Sequence, residues 1–374
     1  MKRLMMARAR GNSGLKLACA CIFLCVVVIL GLCSCELITE AKYGKPTYSK
    51  VNILVYGNDY YYGAQYGTTY GSPLLYTIND VTQVGLALEA WAKKAGIECQ
   101  ALYVTGKEYS KKGTSGTIPY VPEDRSDHNT TKAHFRALMQ QLADRSQDGE
   151  LTFIFFSCHG YYTLPTGTIQ GYRDEKNTAF VMCGNSGVGE ECELYWHEEF
   201  GEDLGKIRGA KVVFADVCHS GGIVDAGNVS VNTAEYAGMS AEQLFLETDI
   251  FELPDTFCLA ASRYYELSYE SSLLEHGYFT ESLLGALGWD EENQCLSGDA
   301  SVGSGAGAVS SSDGALGGGA VFGLGSGGGA SAGSGGRLTF LDLCQRVVRE
   351  VPRYNSGQHP MLSGGSNDLI LFDV

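Results

Sequence analysis

The chain predicts an α/β domain built on a mostly parallel sheet with helices on both faces. Three observations carry this. Residues 151–157 and 211–217 are nearly continuous apolar runs, the pattern of strands buried on both sides. Amphipathic segments with helical spacing alternate with the strand-like runs, as βα units require. Apolar residues make up 44% and aromatics 11% of the 374 residues, enough to fill a sizeable core.

In order, residues 51–56 form a short strand-like run that ends at Gly57-Asn58-Asp59. Asn79 is placed to cap a helix with apolar residues at Val81, Val84, Leu86, Leu88 and Trp91, ending at Gly96. A strand follows over 98–104, then a polar, turn-rich stretch. Thr131 is placed to cap a helix carrying Phe135, Leu138 and Leu142. After the two long apolar strands, residues 257–261 repeat the pattern in shorter form. Residues 279–287 and 340–351 read as helices, and 369–372 as a last strand. Residues 298–336 contain 16 glycines without a collagen period or a GxxxxGK[ST] motif, and read as a disordered insert looping out of the domain.

The N-terminus has the form of an export signal. Lys2, Arg3, Arg8, Arg10 and Lys16 precede an uncharged, largely apolar stretch, residues 17–34. It ends Leu32-Cys33-Ser34-Cys35, which resembles a bacterial lipobox, so that Cys35 would become the acylated first residue; the other reading is an uncleaved anchor. The expected organisation is a signal over 1–35, a tether over 36–49 and the globular domain over 50–374, outside the cytoplasm and held to a membrane. From Cys35 onward 22 basic face 43 acidic side chains, a balance that repels nucleic acid and suits basic peptides. The eight cysteines beyond the export segment contain no CxxC pair, so no metal site is expected. Cys183 and Cys192 could form a local disulfide or remain buried thiols.

Two of the strands end in residues suited to nucleophilic catalysis. One runs into Ser157-Cys158-His159-Gly160, the other into Asp216-Val217-Cys218-His219-Ser220-Gly221. In open parallel sheets, sites form at the carboxyl ends of strands. A thiol needs a base to attack a carbonyl, and an imidazole can take the proton and later return it. His159 would serve Cys218, with the backbone N–H groups of Gly160 and Cys218 as oxyanion donors. His219, adjacent in sequence, is expected to shape the loop, because consecutive side chains rarely converge on one atom.

Ser157-Cys158-His159-Gly160 resembles the S-G-H-G motif of metacaspases, and Asp216-Val217-Cys218-His219-Ser220-Gly221 resembles their D-x-C-H-S-G. Residues 76–81 (YTINDV), 261–263 (ASR), 277–280 (GYFT) and 358–360 (QHP) are similar to further family landmarks in order. The resemblance implies a caspase-like three-layer sandwich and a cysteine endopeptidase that cuts after Arg or Lys. It places Asp80 and Asp216 at the base of the basic-residue pocket, with Ser157 and Ser262 beside them. Two such carboxylates would hold a guanidinium by charge-assisted hydrogen bonds; for Asp80 the alternative is a helix-terminus role. The partner implied is a peptide or protein with a basic P1 residue.

Cys158 departs from the motif by replacing a glycine. Calcium-dependent relatives carry an acidic cluster that Asp225 resembles in part. His197-Glu198 stand where paired aspartates belong, which counts against the calcium site; the expectation is no cofactor, with calcium the open alternative. Two other readings are a catalytically silent caspase-like surface module and a clostripain- or gingipain-like peptidase. Between Lys211 and Arg337 the only basic residue is Arg263, so an Arg/Lys-specific enzyme is expected to stay a single uncut chain.

Overall fold

The computed structural model describes residues 48–59, 61, 73–105, 125–162, 178–183, 192–224, 253, 255–297, 337–364 and 369–374. The export segment with Cys35, most of the tether, Asp225 and the glycine-rich stretch over 298–336 lie outside the described residues. Among the described residues, no helix is long and apolar enough to cross a membrane.

The chain orders as β1 (Lys50–Gly57), α1 (Thr77–Lys94), β2 (Glu98–Thr105), β3 (Ser126–Asp127), α2 (Lys132–Arg145), β4 (Leu151–Cys158), β5 (Gly160–Tyr162), β6 (Thr178–Met182), β7 (Glu193–Trp196), α3 (His197–Gly205), β8 (Ala210–Val217) and α4 (Gly221–Val224). There follow β9 (Thr256–Ala260), β10 (Glu270–Ser271), β11 (His276–Gly277), α5 (Tyr278–Leu287), β12 (Trp289–Asp290), β13 (Cys295–Leu296), β14 (Arg337–Thr339), α6 (Phe340–Tyr354), β15 (Met361–Ser363) and β16 (Ile370–Asp373). The main sheet has seven strands in the order β15-β9-β8-β4-β1-β2-β3. All its pairings are parallel except that of β15 with β9. This is the α/β class the sequence predicts. The expected last strand is present as β16, which pairs antiparallel with β14 in a separate two-stranded sheet.

The period-2 geometry of β4 divides its side chains between two aromatic layers. Phe156 points to one face, where it stacks on Phe180 at 3.9 Å and meets Phe135 of α2 and Phe200 of α3. Phe153 points to the other, against Phe214 and Phe372; Phe372 stacks on Trp91 of α1, and Phe214 on Phe340 of α6. The sheet is therefore sandwiched between α2 and α3 on one side and α1, α5 and α6 on the other. Every residue of β4 is buried, which is why its sequence shows no polar alternation.

Helix starts are a mixed result. Thr131 caps α2 as expected, accepting the His134 N–H at 3.3 Å. Asn79 does not cap α1, which begins two residues earlier at Thr77 with no side-chain cap of its own. Cys183 and Cys192 are joined in a disulfide, which ties the end of β6 to the start of β7.

Phe156→Ala would empty the centre of the first aromatic layer. Loss of about 3–5 kcal/mol is expected in denaturant unfolding; a loss under about 1 kcal/mol would mean that this layer is not the packed core described.

Candidate functional site

The pairing of β4 with β8 sets the site. Their register runs Ser157↔Asp216 and Cys158↔Val217, so His159 and Cys218 are the next residues beyond two adjacent parallel strands. Strands in such a pair lie about 4.8 Å apart. His159 and Cys218 line one open groove together with Asp80, Ser157, Cys158, Asp216, Ser268, Tyr269, Glu270 and Gly277. The expected cysteine–histidine pair and both expected carboxylates thus share one groove.

Glycine makes this approach possible. A Cβ on Gly160 would lie 1.9 Å from the Cys218 carbonyl oxygen, so only glycine lets the backbone after His159 pass the loop that carries Cys218. Gly160 faces Phe180 across β5 and β6, and the Val181 N–H donates to the His159 carbonyl at 2.9 Å. That bond makes Gly160 and Phe180 a non-hydrogen-bonded pair. The Gly160 N–H therefore points out of the ladder, the orientation an oxyanion donor needs.

The Cys218 thiol donates to the Ser268 carbonyl at 3.4 Å, and burial pushes its pKa up to about 11. A reaction would need its proton removed at the moment of attack. His219 is engaged elsewhere. It holds a left-handed backbone (φ 63°), its Nδ1 lies 3.0 Å from the Tyr264 carbonyl, and its ring rests 4.1 Å from that of Tyr162. Burial lowers its pKa, leaving a neutral ring that shapes the turn. Cys158 continues the β4–β8 register, so its side chain is accommodated without displacing the strand end. Burial holds its thiol well above the ordinary range, and it stays protonated.

Three carboxylates surround the groove, each tied to a helix start. Asp216 accepts from the Ser268 hydroxyl at 2.5 Å, and from the Thr280 hydroxyl at 2.6 Å and N–H at 3.1 Å, in the first turn of α5. Burial, and then the nearby Asp80, raise its pKa to about 7. Gly277 is obligatory there, since a Cβ would lie 2.1 Å from an Asp216 oxygen. Asp80, in the first turn of α1, accepts from the Ser157 hydroxyl at 2.7 Å. Its other oxygen takes His276 Nδ1 at 2.7 Å and the Gly277 N–H at 3.2 Å.

Glu270 accepts the N–H groups of Leu75 and Tyr76, supplying from outside the cap that α1 lacks. Sequence reasoning missed Glu270 and His276, because both lie in short-stranded loops without periodicity. Ser262 is placed differently from the other expected residues. It is fully buried, its hydroxyl lies 3.3 Å from both the Val217 and the Glu266 carbonyl oxygens, and it does not line the groove.

Among the described residues, His276, Glu281 and Glu291 bring ligand atoms within 4.8 Å of one another. His276 is already committed on both nitrogens, to Asp80 and to Glu291 at 2.6 Å. These partners raise its pKa to about 10 against the opposing effect of burial, so it stands as a buried cation. Of the residues that the resemblance relates to calcium, His197 is buried at the start of α3, and Asp225 lies outside the described residues.

No known protein family matches the chain, and no curated protein matches it. Among solved structures, protein GSU0716 from Geobacter sulfurreducens superposes with a TM-score of 0.43 at 16% identity, over 84% of this chain and 94% of that one. A secreted C11 cysteine protease from Bacteroides thetaiotaomicron, solved with an irreversible peptide inhibitor, superposes with a TM-score of 0.30 at 10% identity, over 64% of this chain and 53% of that one. Neither likeness is close enough to assign a family.

Proposed function

We propose that the chain is a cysteine endopeptidase that cuts after Arg or Lys, with Cys218 as nucleophile and His159 as acid and base. The observation that carries this is the delivery of both residues by adjacent strands to one groove ringed by Asp80, Asp216 and Glu270. His159 takes the proton from Cys218 Sγ, and the thiolate attacks the scissile carbonyl. The oxyanion forms against the N–H groups of Gly160 and Cys218. His159 then gives its proton to the leaving amine, and water, deprotonated by the same imidazole, releases the acyl group. No cofactor takes part in this reading. We also propose that acylation of Cys35 tethers the enzyme to a membrane outside the cytoplasm, on the strength of the lipobox-like sequence.

The carboxylates support a basic P1 residue, with one electrostatic condition. Asp216 holds its proton up to about pH 7. Below that value a guanidinium must expel the proton before pairing; above it the carboxylate is already charged. Affinity for Arg-P1 peptides therefore rises with pH through about 7 and then levels.

A second reading, a silent surface module of the same fold, is favoured by the high pKa of the Cys218 thiol. Turnover of Arg-, Lys- and Asp-P1 peptides by the domain lacking residues 1–35 separates the two. Arg and Lys peptides are expected to be cut, with Cys218→Ala reducing the rate at least about a thousandfold. Turnover of Asp peptides alone would overturn the pocket assignment, and turnover independent of Cys218 would overturn the chemistry.

Asp216→Asn is expected to lower kcat/KM for Arg peptides about 10- to 100-fold, mainly through KM, and to abolish the rise through pH 7. A KM that keeps its pH dependence in this variant would remove Asp216 from the pocket.

The enzyme is also expected to remain intact between residues 212 and 336 during prolonged incubation. Arg263, its single basic residue, is 3% exposed and paired with Glu266 and the Tyr265 hydroxyl. Fragments created there by the wild type and absent in Cys218→Ala would contradict the specificity.

A further inference from the structure

We propose that Tyr61 is the positioning residue of His159, fixing the imidazole through both its hydroxyl and its ring. This rests on the peptidase reading above and extends it to a residue that the motifs do not contain.

The fold clamps His159 from two sides. Its backbone N–H donates to the Tyr61 hydroxyl at 2.7 Å, and its carbonyl accepts the Val181 N–H at 2.9 Å. The Tyr61 hydroxyl donates in turn to the Asn58 carbonyl at 3.0 Å, which ties the histidine back to the end of β1. The tyrosine ring lies 4.4 Å from the imidazole, tilted by 45°. A single side chain therefore sets both the height of the His159 backbone and one wall against which its ring rests.

Tyr61 is itself immobilised. It is 1% exposed and packs with Val181, Cys183 and Cys192 in a small apolar cluster separate from the main core. The Cys183–Cys192 disulfide closes that cluster covalently, and the same cluster includes the residue that holds the His159 carbonyl. Burial pushes the phenol well above its ordinary range, so the hydroxyl stays protonated and can accept and donate together. Catalytic side chains need placement to a fraction of an ångström, and a rigid neighbour supplies it at no entropic cost during the reaction.

Tyr61→Phe removes the hydroxyl and keeps the ring; Tyr61→Leu removes both. Tyr61→Phe is expected to lower kcat about tenfold with KM within twofold. Its melting temperature should stay near wild type, and alkylation of Cys218 by iodoacetamide should slow by a similar factor. In Tyr61→Leu the His159 imidazole proton resonances should lose the displacement caused by the tyrosine ring current. Wild-type kcat and alkylation rate in Tyr61→Phe, or unmoved His159 resonances in Tyr61→Leu, would overturn the proposal. A wild type that cuts no peptide would sink the peptidase reading alone, because alkylation and the His159 resonances still report on Tyr61.

Discussion

The site depends on one pairing, the in-register parallel ladder of β4 with β8. Because Ser157 faces Asp216 and Cys158 faces Val217, the next residue on each strand emerges at the same edge of the sheet. A shift of one residue would turn each side chain to the opposite face. It would put Asp216 and Ser157 out of reach of the helix starts they serve. The register is held by the aromatic layers on both faces, Phe156 with Phe180 on one and Phe153 with Phe214 on the other. Packing far below the groove is therefore what places His159 beside Cys218.

Two buried titrating groups beside the groove make stability fall as pH rises. Asp216 is charged only at a cost: its raised pKa means that the folded chain binds more protons than the unfolded one between the ordinary aspartate range, about 4, and about 7. Stability is accordingly lost as pH rises through that window. His276 adds a loss of the same sign at higher pH. Its pairing with Asp80 and Glu291 stabilises the fold fully below the ordinary histidine pKa of about 6.5, and that contribution is lost as pH rises through about 10. The carboxylates are held at the N-termini of α1 and α5. Those two helix starts lack side-chain caps of their own and draw them from the groove. The carboxylates that line the groove are the same ones that bond to the helix starts.

Much of the fold was legible in the sequence, because fully buried parallel strands leave long apolar runs and amphipathic helices leave a 3.6-residue period. The runs at 151–157 and 211–217 and the cap at Thr131 are direct cases. His159, Cys218, Asp216 and Ser157, expected from motifs at strand ends, and Asp80, expected from the 76–81 segment, line one groove. Ser262 was misplaced, since its motif position says nothing about whether the hydroxyl faces the groove or the turn beneath it. Asn79 was misread as a cap because helix boundaries shift by a residue or two without altering the apolar period. Glu270, His276 and Tyr61 left no signal, because each acts through a contact with a residue roughly 100 to 200 positions away.

The central claim is that Cys218, and no other thiol, is the nucleophile of a groove that accepts a basic side chain. Labelling with a peptidyl chloromethyl ketone bearing Arg at P1, followed by peptide mass spectrometry, tests it most directly. The account predicts stoichiometric modification at Cys218, protection by an Arg-P1 substrate, and no reaction with the matching Asp-P1 reagent. Modification at Cys158 in place of Cys218, or equal labelling by the Asp-P1 reagent, would contradict it.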